Sequence, residues 1–266
     1  MKAAVSTDWN ASDYASNSRG QFAWAMALID WLALAPEEKV LDVGCGDGKI
    51  SAEIARHVPM GTVVGIDHSP AMIDLAQQTW CTVVPNVEFR VADAQRLALS
   101  DTFDVAFSNS TLHWMPDHRS VLKAVAAALR SGGRLFFSMG GRGTASVIYE
   151  ALDELGSRKP WGEFLAGAES PHYFYGIREY EEWLPQAGLA PRSLALVHKP
   201  MQLADQAALE GWIRTTWVPY ANRIPEDQRA EFVAELAACV RAGCDTNEDG
   251  TILLPMVNLE VEAHKL

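Results

Sequence analysis

Lys39-Val-Leu-Asp-Val-Gly-Cys-Gly-Asp-Gly48 is the stretch on which the fold turns. Val40, Leu41 and Val43 form a short apolar run of the kind that a parallel sheet buries on both faces. Gly44, Gly46 and Gly48 follow at every second position, and Ile50-Ser-Ala-Glu-Ile-Ala55 then carries helical spacing. The pattern predicts a strand that turns tightly into a helix, with glycines where a ligand must approach the backbone. Free N–H groups and the positive end of a helix dipole at such a turn favour an anionic or electron-rich ligand.

Outward from the turn the same alternation repeats. Residues 62–67 (Thr-Val-Val-Gly-Ile-Asp) read as a second buried strand ending on a carboxylate. Ser69 and Pro70 then suit the N-cap and first position of a helix. Residues 87–91 are a third strand, followed by Asp93-Ala94. Residues 103–107 are a fourth, running into Ser108-Asn-Ser-Thr-Leu-His-Trp114. A helix over 120–129, a turn at Ser131-Gly-Gly133 and a strand over 134–139 complete the series. Strand and helix in alternation predict a doubly wound, mostly parallel α/β sheet of Rossmann-like type with right-handed crossovers. Ligands of such sheets lie at the carboxyl ends of the strands, where the glycines, Asp67, Asp93 and Asn109 all fall.

Beyond Gly140 the alternation stops. Residues 141–177 read as an irregular insertion with one helix near 145–155. A helix over 179–187, a strand over 193–197, a largely helical stretch over 205–243 and a terminal strand over 251–261 follow, which brings the strand count to seven. Four of the nine Trp and five of the six Tyr lie between 141 and 220, an aromatic excess suited to lid packing or substrate contact. The expected organisation is one domain, 1–266, with a ligand-binding core over 35–140. Segments 9–30, 141–177 and 205–243 are its helical lid.

The chain has 266 residues, 48% of them apolar and 21% charged, as in an ordinary globular protein. Its net charge of −12 and lack of basic runs argue against a nucleic-acid partner, which clustered Lys and Arg would hold. The polar start shows no signal peptide, and no apolar segment has the length to span a membrane, so no membrane insertion is expected. Cys45, Cys81, Cys239 and Cys244 form no C-x-x-C pair and no His/Cys cluster. Reduced thiols in a cytoplasmic protein without a metal site are the expectation.

Several motifs in order resemble the class I S-adenosylmethionine-dependent methyltransferases. They are Leu41-Asp-Val-Gly-Cys-Gly-Asp-Gly48, Asp67-His-Ser-Pro-Ala-Met72, Asp93-Ala94 and Phe103-Asp-Val-Ala-Phe-Ser-Asn109. Ser108-Asn-Ser-Thr-Leu-His-Trp-Met-Pro-Asp-His118 and Asp249-Gly-Thr-Ile-Leu-Leu-Pro255 are similar to trans-aconitate methyltransferases, which carry Gln in place of His113. Tyr14-Ala-Ser-Asn-Ser-Arg-Gly-Gln21, with Leu112-His-Trp114, is similar to juvenile hormone acid O-methyltransferases. A nicotinamide-binding Rossmann protein competes on the glycine turn alone. Here, however, the third glycine comes one residue early for G-x-G-x-x-G, and Asp93-Ala94 has no counterpart there.

The resemblance implies S-adenosyl-L-methionine as cofactor, S-adenosyl-L-homocysteine as product and a small-molecule acceptor. It implies that the Gly44-Cys45-Gly46 backbone packs against the methionine part, where a side chain would block approach. Asp42 would help hold the α-ammonium through water and Arg19 would meet the carboxylate. Asp67 would accept from both ribose hydroxyls, with His68 beside it. Met72 would lie on the adenine face, Asp93 would accept from the adenine amine and the Ala94 N–H would donate to the ring. Asn109 completes the cofactor set.

A carboxylate acceptor is already ionised near pH 7 and needs no base, only alignment and exclusion of water. The resemblance to the juvenile hormone acid enzymes implies that Gln21 and Trp114 hold such a carboxylate as neutral donors. His113 is open between a donor to a carboxylate, a structural histidine, and a general base for a phenol, amine or carbon acid. Asp117 and His118 read as caps of the following helix. Trans-aconitate enzymes tend to carry Arg before the Pro matching Pro219; Val218 stands here, which suits an apolar acid better than a tricarboxylate.

Overall fold

The computed structural model describes residues 19–97, 99 and 102–266, with side chains from residue 24 onward. Contacts divide the chain into two compact units. One contains Gln21–Arg142, His172–Val197 and Asn258–Leu266; the other contains Gly143–Pro171 and His198–Val257.

The first unit is built on a seven-stranded sheet. Its strands are β1 (Lys39–Val43), β2 (Thr62–Asp67), β3 (Val87–Val91), β4 (Phe103–Asn109), β5 (Leu129–Gly140), β6 (Leu189–His198) and β7 (Val257–Lys265). Their spatial order is β3-β2-β1-β4-β5-β7-β6. β1 to β5 run parallel, and β7 runs antiparallel to β5, with Val261 opposite Phe137. The helices of this unit are α1 (Arg19–Leu32), α2 (Lys49–His57), α3 (Pro70–Trp80), α4 (His118–Ala128) and α5 (Ile177–Gln186).

Side chains alternate across a strand, so β1 serves two cores. Leu41 and Val43 pack with Ile66, Ala106, Leu122 of α4 and Tyr180 and Leu184 of α5. Val40 packs on the other face with Val63, Val105, Ile29 of α1, Ile54 of α2 and Ile73 of α3. Asp42 shares the parity of Val40 and therefore points toward α2, where the Ser51 hydroxyl donates to it at 2.5 Å. Burial on both faces is what a continuous apolar strand requires. Ser69 caps α3, accepting from Met72 N–H at 3.4 Å, and Pro70 opens the helix as its sequence position suggests.

Three expectations need correction. The run 251–261 is two strands, because Pro255 lies between them and has no N–H to continue a ladder. Its first part, Ile252–Leu254, pairs with Met201–Leu203, and its second part is β7. Ser131-Gly-Gly133 does not precede β5 but lies inside it, where Gly132 at φ 71° accommodates an irregular register. Asp117 does cap α4, accepting from Ser120 N–H at 3.1 Å, but His118 does not. Its ring is buried, with Nε2 donating to the Leu112 carbonyl and Nδ1 accepting from the Tyr180 hydroxyl, both at 2.7 Å.

The second unit is helical, with helices at Ser146–Gly156, Trp161–Leu165, Gln206–Thr216, Val218–Ala221 and Arg229–Ala242. Met201–Leu203, Ile252–Leu254 and Asp245–Thr246 form a small sheet there. Trp161 is fully buried against Phe232, ring centroids 5.3 Å apart, with its indole N–H on Glu235 at 3.0 Å. A cavity of about 460 Å³ within this unit is lined by Arg214, Val218, Asn222 and Arg229, among others. All four cysteines are free thiols. Among the described residues no helix is long and apolar enough to cross a membrane.

Candidate functional site

The carboxyl ends of β1 to β4 lie side by side, in the sheet order β3-β2-β1-β4. The backbone N–H groups of Gly44 and Cys45 both donate to the Ile66 carbonyl, at 2.7 and 2.9 Å, which ties the β1 turn to the end of β2. Gly46 N–H donates to one Asp67 oxygen at 3.1 Å, and Ser69 N–H donates to the other at 2.9 Å. A carboxylate offers about four lone pairs. Two backbone donors therefore fix its plane and leave acceptor capacity unspent. His68 is exposed, with Nδ1 3.4 Å from Asp67, and that hydrogen bond raises its pKa.

The three turn glycines have positive φ for three different environments. A Cβ on Gly44 would stand 2.0 Å from the Thr111 side chain, and one on Gly48 would meet Phe89 at 2.6 Å. The crowding at Gly44 thus comes from the protein's own Thr111, a reason the turn sequence did not reveal. A Cβ on Gly46 would meet no heavy atom within 4 Å. Gly46 opens onto space beside the Asp67 carboxylate, which is the place for a ligand against the backbone.

Beneath the turn, Asp42 is 2% exposed, and burial with the nearby Asp67 charge pushes its pKa up to about 7 despite the Ser51 hydrogen bond. Cys45 is buried, and burial holds its thiol pKa well above the usual range, so it is no nucleophile. At the end of β3, Asp93 caps a short 3-10 turn, accepting from Gln95 N–H at 2.9 Å, and is exposed. Ala94 is the first residue of that turn, whose N–H has no partner inside it. Met72, on the first turn of α3, is buried, as is Asn109 at the end of β4.

On the β4–β5 side, Ser110 at φ 57° and the 3-10 turn Leu112–Trp114 place His113 against the end of β5. The Gly140 N–H donates to His113 Nδ1 at 3.1 Å. That bond leaves the ring proton on Nε2. Burial, with His172 and His118 nearby, holds the His113 pKa well below its ordinary value. Trp114 stands 5.6 Å from His113, centroid to centroid, and 4.3 Å from His172.

The structure thus gathers Asp42, Gly44, Cys45, Gly46, Asp67, His68, Met72, Asp93, Ala94 and Asn109 at adjacent strand ends, with His113 and Trp114 at the β4 end. Arg19 and Gln21 lie in α1, but their side chains fall outside the described residues, as does the segment before residue 19. Sequence reasoning missed Gly140, Thr111, His172 and Phe174. Gly140 carried one signal, its place at the end of a strand.

Residues 40–133 match the model of a methyltransferase domain. Trans-aconitate 2-methyltransferase of Methylobacterium nodulans is 28% identical over 97% of this chain and 98% of its own length. The chain is an S-adenosylmethionine-dependent methyltransferase with the class I fold. This methyltransferase shares its fold with YcgJ of Bacillus subtilis, at a TM-score of 0.62 and 19% identity, covering 92% of this chain and 98% of that one. It is also similar to coclaurine N-methyltransferase, a structure bound to N-methylheliamine and S-adenosylhomocysteine. There the TM-score is 0.63 and the identity 15%, covering 92% of this chain and 72% of that one. At these identities the likeness to solved structures speaks for fold alone. S-Adenosylmethionine is the cofactor, and the residues present fit it: Gly46 offers an open cradle beside a carboxylate already fixed by two backbone donors.

Proposed function

We propose that the methyltransferase acts on the carboxylate of a small organic acid and forms a methyl ester. S-Adenosylmethionine supplies an electrophilic methyl group on a sulfonium. The Gly44-Cys45-Gly46 backbone holds its methionine part, with Asp42 below and Arg19 as carboxylate partner. Asp67 takes the ribose hydroxyls on the lone pairs that Gly46 and Ser69 leave open, next to His68. Met72, Asp93 and Ala94 hold the adenine, and Asn109 borders the reacting end.

The hydrogen bond from Gly140 N–H to His113 Nδ1 carries the choice of acceptor. A backbone N–H can only donate, so Nδ1 must accept and Nε2 must bear the proton. His113 therefore offers a neutral donor and has no free lone pair with which to take a proton from a phenol, an amine or a carbon acid. A carboxylate asks for that kind of partner. It arrives ionised, and a strong ion pair on the attacking oxygen would blunt it. Gln21, the Nε2–H of His113 and the Trp114 indole are the donors assigned to orient it, leaving alignment and water exclusion as the protein's contribution.

The relative named trans-aconitate 2-methyltransferase, matched over nearly the whole chain, supports the same chemistry. Val218 in place of an arginine favours an acid with fewer charges. Free thiols throughout suit the reducing cytoplasm as the place of action. The test is methyl transfer from labelled cofactor to pools of organic acids, phenols and amines. An ester product releases label as methanol in alkali. A product whose label survives alkali would overturn the carboxylate assignment.

A further inference from the structure

His172 and Phe174 sit two residues apart on a segment outside any helix or strand, and their side chains stack on one another. Their rings are 5.1 Å apart and 9° from parallel. His113 stands 5.9 Å from each ring at the same 47° tilt, and Trp114 lies 4.3 Å from His172. Backbone bonds fix the segment on both flanks. Tyr173 N–H donates to the His113 carbonyl at 2.8 Å, and Arg142 N–H donates to the Tyr175 carbonyl at 2.9 Å. The Tyr175 hydroxyl donates to the Pro116 carbonyl at 2.8 Å. Four rings from two distant stretches thus form one half-buried face, which includes His113 and Trp114, two of the residues assigned to the acceptor carboxylate. Burial holds His172 to a pKa of about 4 and His113 well below its ordinary value, so neither ring is charged at neutral pH.

We propose that His172 is a specificity-determining residue of the acceptor site, forming with Trp114 and Phe174 a ring-lined wall for the planar, conjugated carbon body of a monocarboxylic acid. The assignment rests on the carboxylate chemistry above and narrows its substrate class. A flat π system meets tilted and stacked rings through offset and edge contacts that a puckered saturated ring of equal size cannot make. A second or third carboxylate would lose water against uncharged rings.

The test is calorimetry on the full chain loaded with S-adenosylhomocysteine. Benzoate, cyclohexanecarboxylate, trans-aconitate and benzamide are the probes. Benzoate is expected to bind about fivefold or more tightly than cyclohexanecarboxylate, the scale of one aromatic contact. His172→Leu should reduce that ratio to about twofold or less, with the melting temperature and S-adenosylhomocysteine affinity unchanged, while His172→Phe retains it. Should His172→Leu fail to fold, the wild-type ratios and His172→Phe carry the test. Equal binding of the two ring acids overturns the proposal. So does a ratio unchanged in His172→Leu, tighter binding of trans-aconitate than of benzoate, or no measurable binding of benzoate. Benzamide binding as tightly as benzoate sinks the carboxylate reading instead, and the ring-acid ratio still judges the wall.

Discussion

Replacing His113 separates orientation from base catalysis. Asparagine is the informative substitute, because its side-chain oxygen can accept from Gly140 N–H while its amide keeps a neutral donor. If the acceptor arrives as a carboxylate, His113→Asn lowers kcat by at most about tenfold, or about 1.4 kcal/mol of barrier. His113→Leu strands the buried Gly140 N–H without an acceptor, a cost of about 1–3 kcal/mol that appears as a lower melting temperature. Trp114→Phe keeps a ring in the wall and loses the indole donor, lowering kcat/KM by about 10–100-fold. The assay is a pH–rate profile of wild type and variants on the acceptor found by labelling. At saturating cofactor, where the titration of Asp42 near pH 7 bears least on binding, wild-type kcat should be nearly flat from about pH 6 to 9, since the acceptor is ionised and His113 neutral across that range. An acidic limb near pH 6.5 that vanishes in His113→Asn, with a loss of about 10²–10⁴-fold, would refute the reasoning.

Asp67→Ala should weaken cofactor binding about 30-fold or more by calorimetry, and an unchanged dissociation constant would remove the residue from the site. Gly46→Ala should reduce cofactor affinity and cost about 1–2 kcal/mol of stability for its positive φ, whereas Gly48→Ala should destabilise the fold further, because its Cβ would also meet Phe89 and Ala76. Segments 141–177 and 205–243, proposed as the acceptor-side cover, should gain hydrogen-exchange protection when cofactor and product analogue bind; identical exchange would end that proposal. Stability to denaturant should fall as the pH drops from about 6.5 toward 4. His118 and His172 have folded pKa values of about 4, and that of His113 is also lowered, so the unfolded chain takes up protons first. Asp42 opposes this, because its folded pKa near 7 lies above the ordinary 3.8 and its contribution is present at low pH and lost as the pH rises through 7. Asp42→Asn should therefore steepen the acid-side loss, and a profile as shallow as that of wild type would contradict the assignment.

The parallel half of the sheet was legible because β1 to β4 are short apolar runs closed by Gly, Asp or Asn, a local pattern that burial on two faces imposes. The features that sequence reading misplaced depend on non-local pairing. Residues 251–261 look like one apolar strand until Pro255 forces a break and the halves enter different sheets. Gly132 looks like a turn, but it lies inside β5 where the register with β4 shifts between Leu129 and Arg134. His118 occupies a capping position, yet Tyr180, far along the chain, takes its Nδ1.

The same divide runs through the site. The residues proposed to hold the cofactor, Arg19 aside, are readable because each sits within a few positions of a strand end, so motif spacing and geometry coincide. The proposed acceptor side is assembled from His113, Gly140, His172 and Phe174, which share no motif and meet only through topology. That difference decides what could be inferred from either source. Spacing alone left His113 open between base and donor, since a histidine's role depends on which nitrogen holds the proton. One backbone N–H from β5, 27 residues away, assigns that proton to Nε2. The choice between base-assisted and carboxylate chemistry thus rests on a single tautomer, and the tautomer on where β5 ends.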